Sequence, residues 1–186
     1  MSLAAISYPI FEEAGPGWID NHRAQYDPAG HELLKPHFTF IHPQTALPRQ
    51  PFIDHVAGIA SSTSPVAFNI SGAILFKTPV DPVWYAFLVP DRGYHDLVEL
   101  HDELYTGDLQ AQLRRDIPYV PHVTVGRFRQ QAKAEAAVAR INSERIDITG
   151  TVGTIEIVDY SGTHLEHIAR VTLSGGISGN TGPGRP

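Results

Sequence analysis

The chain of 186 residues contains no cysteine. That absence removes disulfides, thiolate nucleophiles and cysteine-based zinc sites together, and makes the reducing cytoplasm the expected compartment. No apolar run approaches the roughly 20 residues needed to cross a bilayer. The N-terminus also lacks the basic segment and long apolar stretch of an export signal, so the sequence reads as soluble and unexported, with no membrane partner. Positive charge is scarce as well: 14 Lys and Arg stand against 20 Asp and Glu, a formal net charge of −6, and the cations form no cluster. Binding along extended nucleic acid depends on many cations neutralising phosphates. Long nucleic acid is therefore not an expected partner, whereas a small nucleotide or a short RNA end is. At 42% hydrophobic and 18% charged, the chain holds enough apolar side chains for one domain with a sizeable core.

What is present is a duplicated tetrapeptide. Pro36-His37-Phe38-Thr39 and Pro121-His122-Val123-Thr124 share the pattern Pro-His-x-Thr, and their histidines lie 85 positions apart (122 − 37). Each opens a short segment of strand character. Side chains alternate faces along a strand, so His37 projects beside Thr39 and His122 beside Thr124. A lone His-x-Thr on a strand is an ordinary structural pair, and it is the repetition, preceding proline included, that points to chemistry. An imidazole with an unperturbed pKa of about 6.5 serves as acid or base near neutral pH. The neighbouring hydroxyl donates to phosphoryl oxygens and stabilises developing charge. Two such pairs facing one cleft would place a general acid and a general base on either side of one phosphorus, with no metal or cofactor required.

The rest of the chain alternates strand and helix signals. Ala4 to Ile10 reads as a strand. Gly15-Pro16-Gly17 opens a helix with Trp18, Ile19, His22 and Tyr26 on one stripe, and Asp27-Pro28-Ala29-Gly30 stops it. Phe52, Ile53, Val56, Ile59 and Ala60 repeat at helical spacing. Val66 to Phe76 alternates with period two and, past a Pro79 to Pro82 turn, meets an apolar run from Val83 to Val89 as a hairpin. A helix follows from Tyr94 to Tyr105. The second half offers a motif strand from Val123 to Phe128, a helix through Ala134, Ala137, Val138 and Ile141, and two closing strands, Thr151 to Asp159 and Leu165 to Leu173, joined through Ser161-Gly162-Thr163. One domain over 1–173 and a flexible Gly, Ser and Pro-rich tail over 174–186 are expected.

Several features invite a functional reading that their context removes. His101-Asp102-Glu103-Leu104 spells a retention signal that acts only at a C-terminus. His164 and His167 face opposite sides of a strand, which argues against a shared metal. Asn69-Ile70-Ser71 is a glycosylation sequon only in a secreted protein. His42 has the parity of Phe38 and Phe40, away from the expected cleft.

The doublet resembles the signature of the two-histidine phosphoesterase superfamily, which includes 2′-5′ RNA ligase-like proteins and cyclic nucleotide phosphodiesterases. Tyr26-Asp27-Pro28 ahead of Lys35-Pro36-His37-Phe38-Thr39, and the strand around Ile6-Ser7-Tyr8-Pro9, are similar to its bacterial 2′-5′ RNA ligase-like branch. The resemblance, over roughly residues 4 to 173, implies a bilobal α+β fold in which two antiparallel sheets, related by a pseudo-twofold axis, line a central cleft with helices outside. It implies His37 and His122 as the catalytic pair and Thr39 and Thr124 as phosphate donors. It also implies Arg127, five residues after the second histidine, and Tyr8 as substrate contacts. Strict alternation turns Arg127 away from His122 unless a bulge at Gly126 re-aims it.

The expected function is that of a metal-independent phosphoesterase opening 2′,3′-cyclic or related phosphodiesters of small nucleotides or RNA ends, with 2′-5′ RNA ligase-like activity as its reversal. Two other readings share the cleft: a nucleotide or RNA-phosphate-binding module without chemistry, and a hydrolase of another phosphoester such as a cyclic ADP-ribose phosphate.

Overall fold

The computed structural model describes residues 1–12, 15–78, 82–160 and 164–176. Its strands are β1 (Leu3–Ser7), β2 (Ile10–Phe11), β3 (Phe38–Gln44), β4 (Val66–Ile70), β5 (Ala73–Lys77), β6 (Trp84–Leu88), β7 (Val123–Phe128), β8 (Ile148–Val152), β9 (Thr154–Tyr160) and β10 (Leu165–Thr172). The helices are α1 (Gly15–Tyr26), α2 (Pro28–Leu33), α3 (Arg49–Ser62), α4 (Tyr94–Leu104) and α5 (Gln131–Ser143), with a 3-10 turn at Gly107–Gln112. The architecture is α+β, and every ladder is antiparallel. Among the described residues the strands form three ladders: β10-β9-β1-β3, β5-β6-β7 and the small β2-β8-β4. The two motif strands, β3 and β7, each end their ladder.

The apolar pattern explains which faces are covered. Leu3, Ala5, Phe38, Phe40 and Ile41 point into the main core with Phe52, Val56 and Ala60 of α3 and Leu97, Leu100 and Leu104 of α4. Behind β5-β6-β7 lies α5, which turns Ala134, Ala137 and Ile141 inward. The opposite face of β1 carries a separate small cluster, Ala4 and Ile6 with Val158, packed against Tyr8 and Leu34. Helix α1 lies against β7. Gly126 permits that approach, since a Cβ there would come within 2.6 Å of Phe128 and 3.1 Å of Tyr26.

Several elements differ from the expectation for local reasons. Asp27-Pro28 ends α1 but also starts α2, because the Asp27 carboxylate accepts from the Gly30 amide (3.3 Å) as an N-cap with proline following. The alternating run from Val66 breaks at Ser71-Gly72, so its halves pair with different partners, β4 with β8 and β5 with β6. Gly153 likewise divides the segment beginning near Thr151 into β8 and β9. The Ser161-Gly162-Thr163 connection, the Pro79 to Asp81 part of the hairpin turn, and residues 177–186 of the expected tail lie outside the described residues. The chain is still hydrogen-bonded past 173: Ser174 and Gly175 donate to the carbonyls of Ala60 and Thr63.

One feature of the pairing governs the site. In β1–β3 the register runs Ser7 to Phe38, Ile6 to Thr39, then Ala5 to Ile41, so that Phe40 is an extra residue on β3. In β6–β7 it runs Leu88 to Val123, Phe87 to Thr124, then Ala86 to Gly126, so that Val125 is the extra residue. The same bulge therefore follows the motif threonine in both halves and reverses the facing of the side chains just after it; β3 takes a second register shift between Ile41 and Gln44 that β7 lacks. Phe38, between the first motif's two functional residues, is fully buried, and its ring meets Phe68 edge to face at 5.2 Å. Replacement Phe38→Ala is expected to cost about 3–5 kcal/mol, measured as a fall in the urea midpoint at an unchanged slope.

Candidate functional site

The two motif histidines are held in the same way. His37 Nδ1 lies 2.8 Å from the carbonyl of Lys35, and His122 Nδ1 lies 2.6 Å from that of Val120. A carbonyl only accepts, so Nδ1 carries the hydrogen in both rings and Nε2 keeps its lone pair. Both rings are half-buried. Burial pulls each imidazole down to about 4; the backbone carbonyl opposes this, and nearby positive charge adds to it, from Arg23 at His37 and from His42 and His37 at His122. A proton on His37 is thus felt at His122, which ties the two motifs into one electrostatic unit.

Each ring has its own support. His122 stacks on Phe87 (centroids 3.6 Å apart, planes 15° apart), which stacks in turn on Phe76 at 4.9 Å. His37 meets the edge of Tyr8 at 6.2 Å, and the same tyrosine lies 5.8 Å from His167. Burial, helped by the Glu156 carboxylate, pushes the Tyr8 phenol up to about 12, so it stays a neutral donor. Thr39 and Thr124 are half-buried on the same strand faces as their histidines. The two halves are cross-tied by Tyr119, whose hydroxyl donates to the Thr39 carbonyl (3.0 Å) and whose ring stacks on His101 (3.6 Å, 6°).

A cavity of about 790 Å³ opens beside His122. His122 and Thr124 line it, with Phe76, Tyr85 and Phe87 on one wall and His42 and Gln44 on another. His37, Thr39, Tyr8 and Arg127 lie outside its lining.

The bulges settle two questions of facing. Beyond Val125, Arg127 pairs with Tyr85 and shares the face of Thr124, with its guanidinium 5.6 Å from the Tyr85 ring centre. The extra residue is Val125 rather than Gly126, but the effect is the re-aiming that alternation alone denies. Beyond Phe40, His42 likewise turns to the face of Thr39 and lines the cavity, which corrects the expectation that it points away. Periodicity could not reveal this, because a bulge has no side-chain signature. The usable signal was positional: His42 and Arg127 both stand five residues after a motif histidine.

A family model described as the 2'-5' RNA ligase superfamily matches residues 11–164. The chain belongs to the 2'-5' RNA ligase superfamily. Comparison with curated proteins gave no match. Solved structures of similar fold include TT0787 of Thermus thermophilus, with 16% identity, a TM-score of 0.59, and coverage of 95% of this chain and 100% of that one. Kluyveromyces marxianus Usb1 gives 9%, 0.57, 92% and 98%, and apo E. coli LigT gives 14%, 0.50, 94% and 99%. At these identities the likeness is one of fold, and it extends over nearly the whole superfamily domain. Among the described residues no helix is long and apolar enough to cross a membrane.

The lowered imidazoles link the site to stability. A histidine that titrates near 4 when folded and near 6.5 when unfolded binds fewer protons in the native state between those values. Stability is then fully present above pH 6.5 and falls as pH drops toward 4, by at most about 1.4 kcal/mol per pH unit for each ring. The doubly substituted His37→Gln, His122→Gln protein should lose less than wild type between pH 7 and 4.5. A parallel fall in the two thermal midpoints would show that other groups control acid sensitivity.

Proposed function

We propose that the chain is a two-histidine phosphoesterase that opens cyclic phosphodiesters of small nucleotides or RNA ends, 2′,3′-cyclic phosphates among them, without a metal or other cofactor. The observation that carries this reading is the matched anchoring of His37 and His122, each donating from Nδ1 to the carbonyl two residues earlier and keeping Nε2 for proton transfer. Membership of the superfamily makes phosphoester or RNA-processing chemistry the frame. E. coli LigT, which shares the fold at a TM-score of 0.50, has been crystallised with 3'-AMP.

In this reading Nε2 of one histidine takes a proton from water as its oxygen forms a bond to phosphorus. Nε2–H of the other gives its proton to the ribose oxygen as that P–O bond breaks. Thr39 and Thr124 donate to the non-bridging oxygens, where charge grows in the transition state. Arg127, on the Thr124 face, and Tyr8, beside His37, contact the substrate. With an RNA 5′-hydroxyl in place of water, the same two proton transfers join its oxygen to phosphorus as the ribose 3′ P–O bond breaks, which forms a 2′-5′ linkage.

The acid must carry a proton that the empty site disfavours. A bound phosphodiester anion supplies the compensating charge, raising the imidazole it touches. Because kcat/KM reports the free enzyme, its maximum is expected well below pH 6.5, while the optimum for kcat lies higher, where the bound anion holds the proton. His37→Ala or His122→Ala should lower kcat by roughly 10²–10⁴ in the presence of a chelator with the fold intact. Thr39→Val and Thr124→Val should cost roughly 10²–10³. A panel of nucleoside 2′,3′-cyclic phosphates, cyclic dinucleotides and 2′-5′-linked RNA, read by mass, checks these expectations. Wild-type turnover surviving in either alanine variant is the outcome that defeats the mechanism, and tight binding without any turnover would mark a binding module instead.

A further inference from the structure

The cavity that His122 and Thr124 line is also lined by His42 and Gln44 of β3 and by other groups the phosphoryl chemistry does not use. Gln44 lines it and is buried. Its Oε1 accepts from the amides of Ala46 (2.5 Å) and Leu47 (3.1 Å), which fixes which end of the side-chain amide is oxygen. Its Nε2 is buried with no partner among the described residues. A buried donor left unpaired in a cavity wall is unfavourable until an acceptor arrives.

The neighbouring side chains match that demand. His42 is carried to this wall by the bulge at Phe40, and its backbone amide is fixed on the Tyr105 hydroxyl at 3.2 Å. Arg114 and Arg115 line the same cavity, and the charges of Arg114 and His101 are felt at His42. The acidic groups nearby are already engaged: Asp102 accepts from His101 Nδ1 at 2.8 Å, and Asp116 takes Nε and Nη2 of Arg114 at 2.8 and 2.6 Å. Set against each other, these pairs leave Arg115, His42, Gln44 Nε2 and the Nη1 of Arg114 as donors without a partner here among the described residues. A chain of net charge −6 with 14 cations places two arginines and two imidazoles, His42 and His101, in the lining of this one cavity.

We propose that this part of the cavity is an anion subsite for a second phosphoryl group of the substrate, with Gln44 Nε2, His42, Arg114 and Arg115 as donors. The inference rests on the reading of His37 and His122 as the reacting phosphate's site. His42 is three residues beyond Thr39, roughly 7–10 Å along the strand, a span that a ribose bridges between phosphoryl groups on its 5′ and 3′ carbons. The preferred substrate class is then a nucleotide that carries a 5′-phosphate in addition to its cyclic phosphodiester, over the 5′-hydroxyl form.

Calorimetric titration with adenosine 3′-monophosphate and adenosine 3′,5′-bisphosphate tests it directly. The added 5′-phosphate should tighten binding to wild type by roughly tenfold or more. In His42→Gln, and in the Arg114→Gln, Arg115→Gln protein, whose changes lie at exposed positions that leave the core untouched, that gain should shrink to within about twofold. The ratio of kcat/KM for 5′-phosphorylated over 5′-hydroxyl adenosine 2′,3′-cyclic phosphate should collapse in the same variants. No gain in wild type, or a gain that survives in both variants, overturns the subsite even where turnover is normal. A gain lost in the variants with no turnover at all upholds the subsite while removing the phosphoesterase reading. Failure of both nucleotides to bind overturns the two together.

Discussion

The cleft depends on a hydrogen bond that uses no special residue: the main-chain carbonyl two positions before each motif histidine. By taking the Nδ1 hydrogen of His37 and of His122, the carbonyls of Lys35 and Val120 choose the tautomer and set the ring's tilt. The preceding proline contributes because it holds the chain extended and removes a competing amide at that position. An imidazole so anchored presents one free nitrogen in one direction. Two of them sit on strands that end separate ladders, close enough that charge on His37 is felt at His122.

The site is half dry, and the dryness controls the chemistry. Burial that holds both imidazoles near 4 leaves both rings neutral at neutral pH. In the proposed chemistry the acid's proton would be tied to the substrate's charge, since an anion beside an imidazole favours the imidazolium. The aromatic stack of His122, Phe87 and Phe76 keeps water from one face, and the Tyr119 hydroxyl on the Thr39 carbonyl fixes the two halves relative to each other. Rigid spacing is worth as much as the groups themselves when both proton transfers act on one phosphorus.

Much of this was legible in the chain. The doublet located both motif strands, and β7 spans the expected Val123 to Phe128. The amphipathic stripes located α1, α3, α4 and α5 because each buries one face against a ladder. What could not be read was pairing. The run from Val66 to Phe76 has a single period, yet Gly72 lets its halves join different ladders, and nothing in alternation records a partner. Tyr119 was equally hidden, since its value lies in a contact 80 residues away. His42 was misread for a sharper reason: period-two arguments assume an unbroken ladder, and the extra residue at Phe40 breaks it immediately after the motif.

The repeated bulge also explains how a nearly symmetric backbone makes an asymmetric site. The register at Thr39 and Thr124 is the same in both halves, so the groups before the bulge, histidine and threonine, are duplicated in position as well as in kind. After it the halves diverge: β3 takes a second register shift before Gln44 that β7 lacks, and the fifth residue beyond each histidine differs, His42 in one half and Arg127 in the other. His42 turns to the cavity of Arg114 and Gln44, while Arg127 lies over Tyr85 outside its lining. A phosphorus midway between two equivalent histidines would have no preferred orientation. Unequal groups at the equivalent fifth positions supply one, because the two ends of the cleft then offer different partners to whatever the phosphate carries.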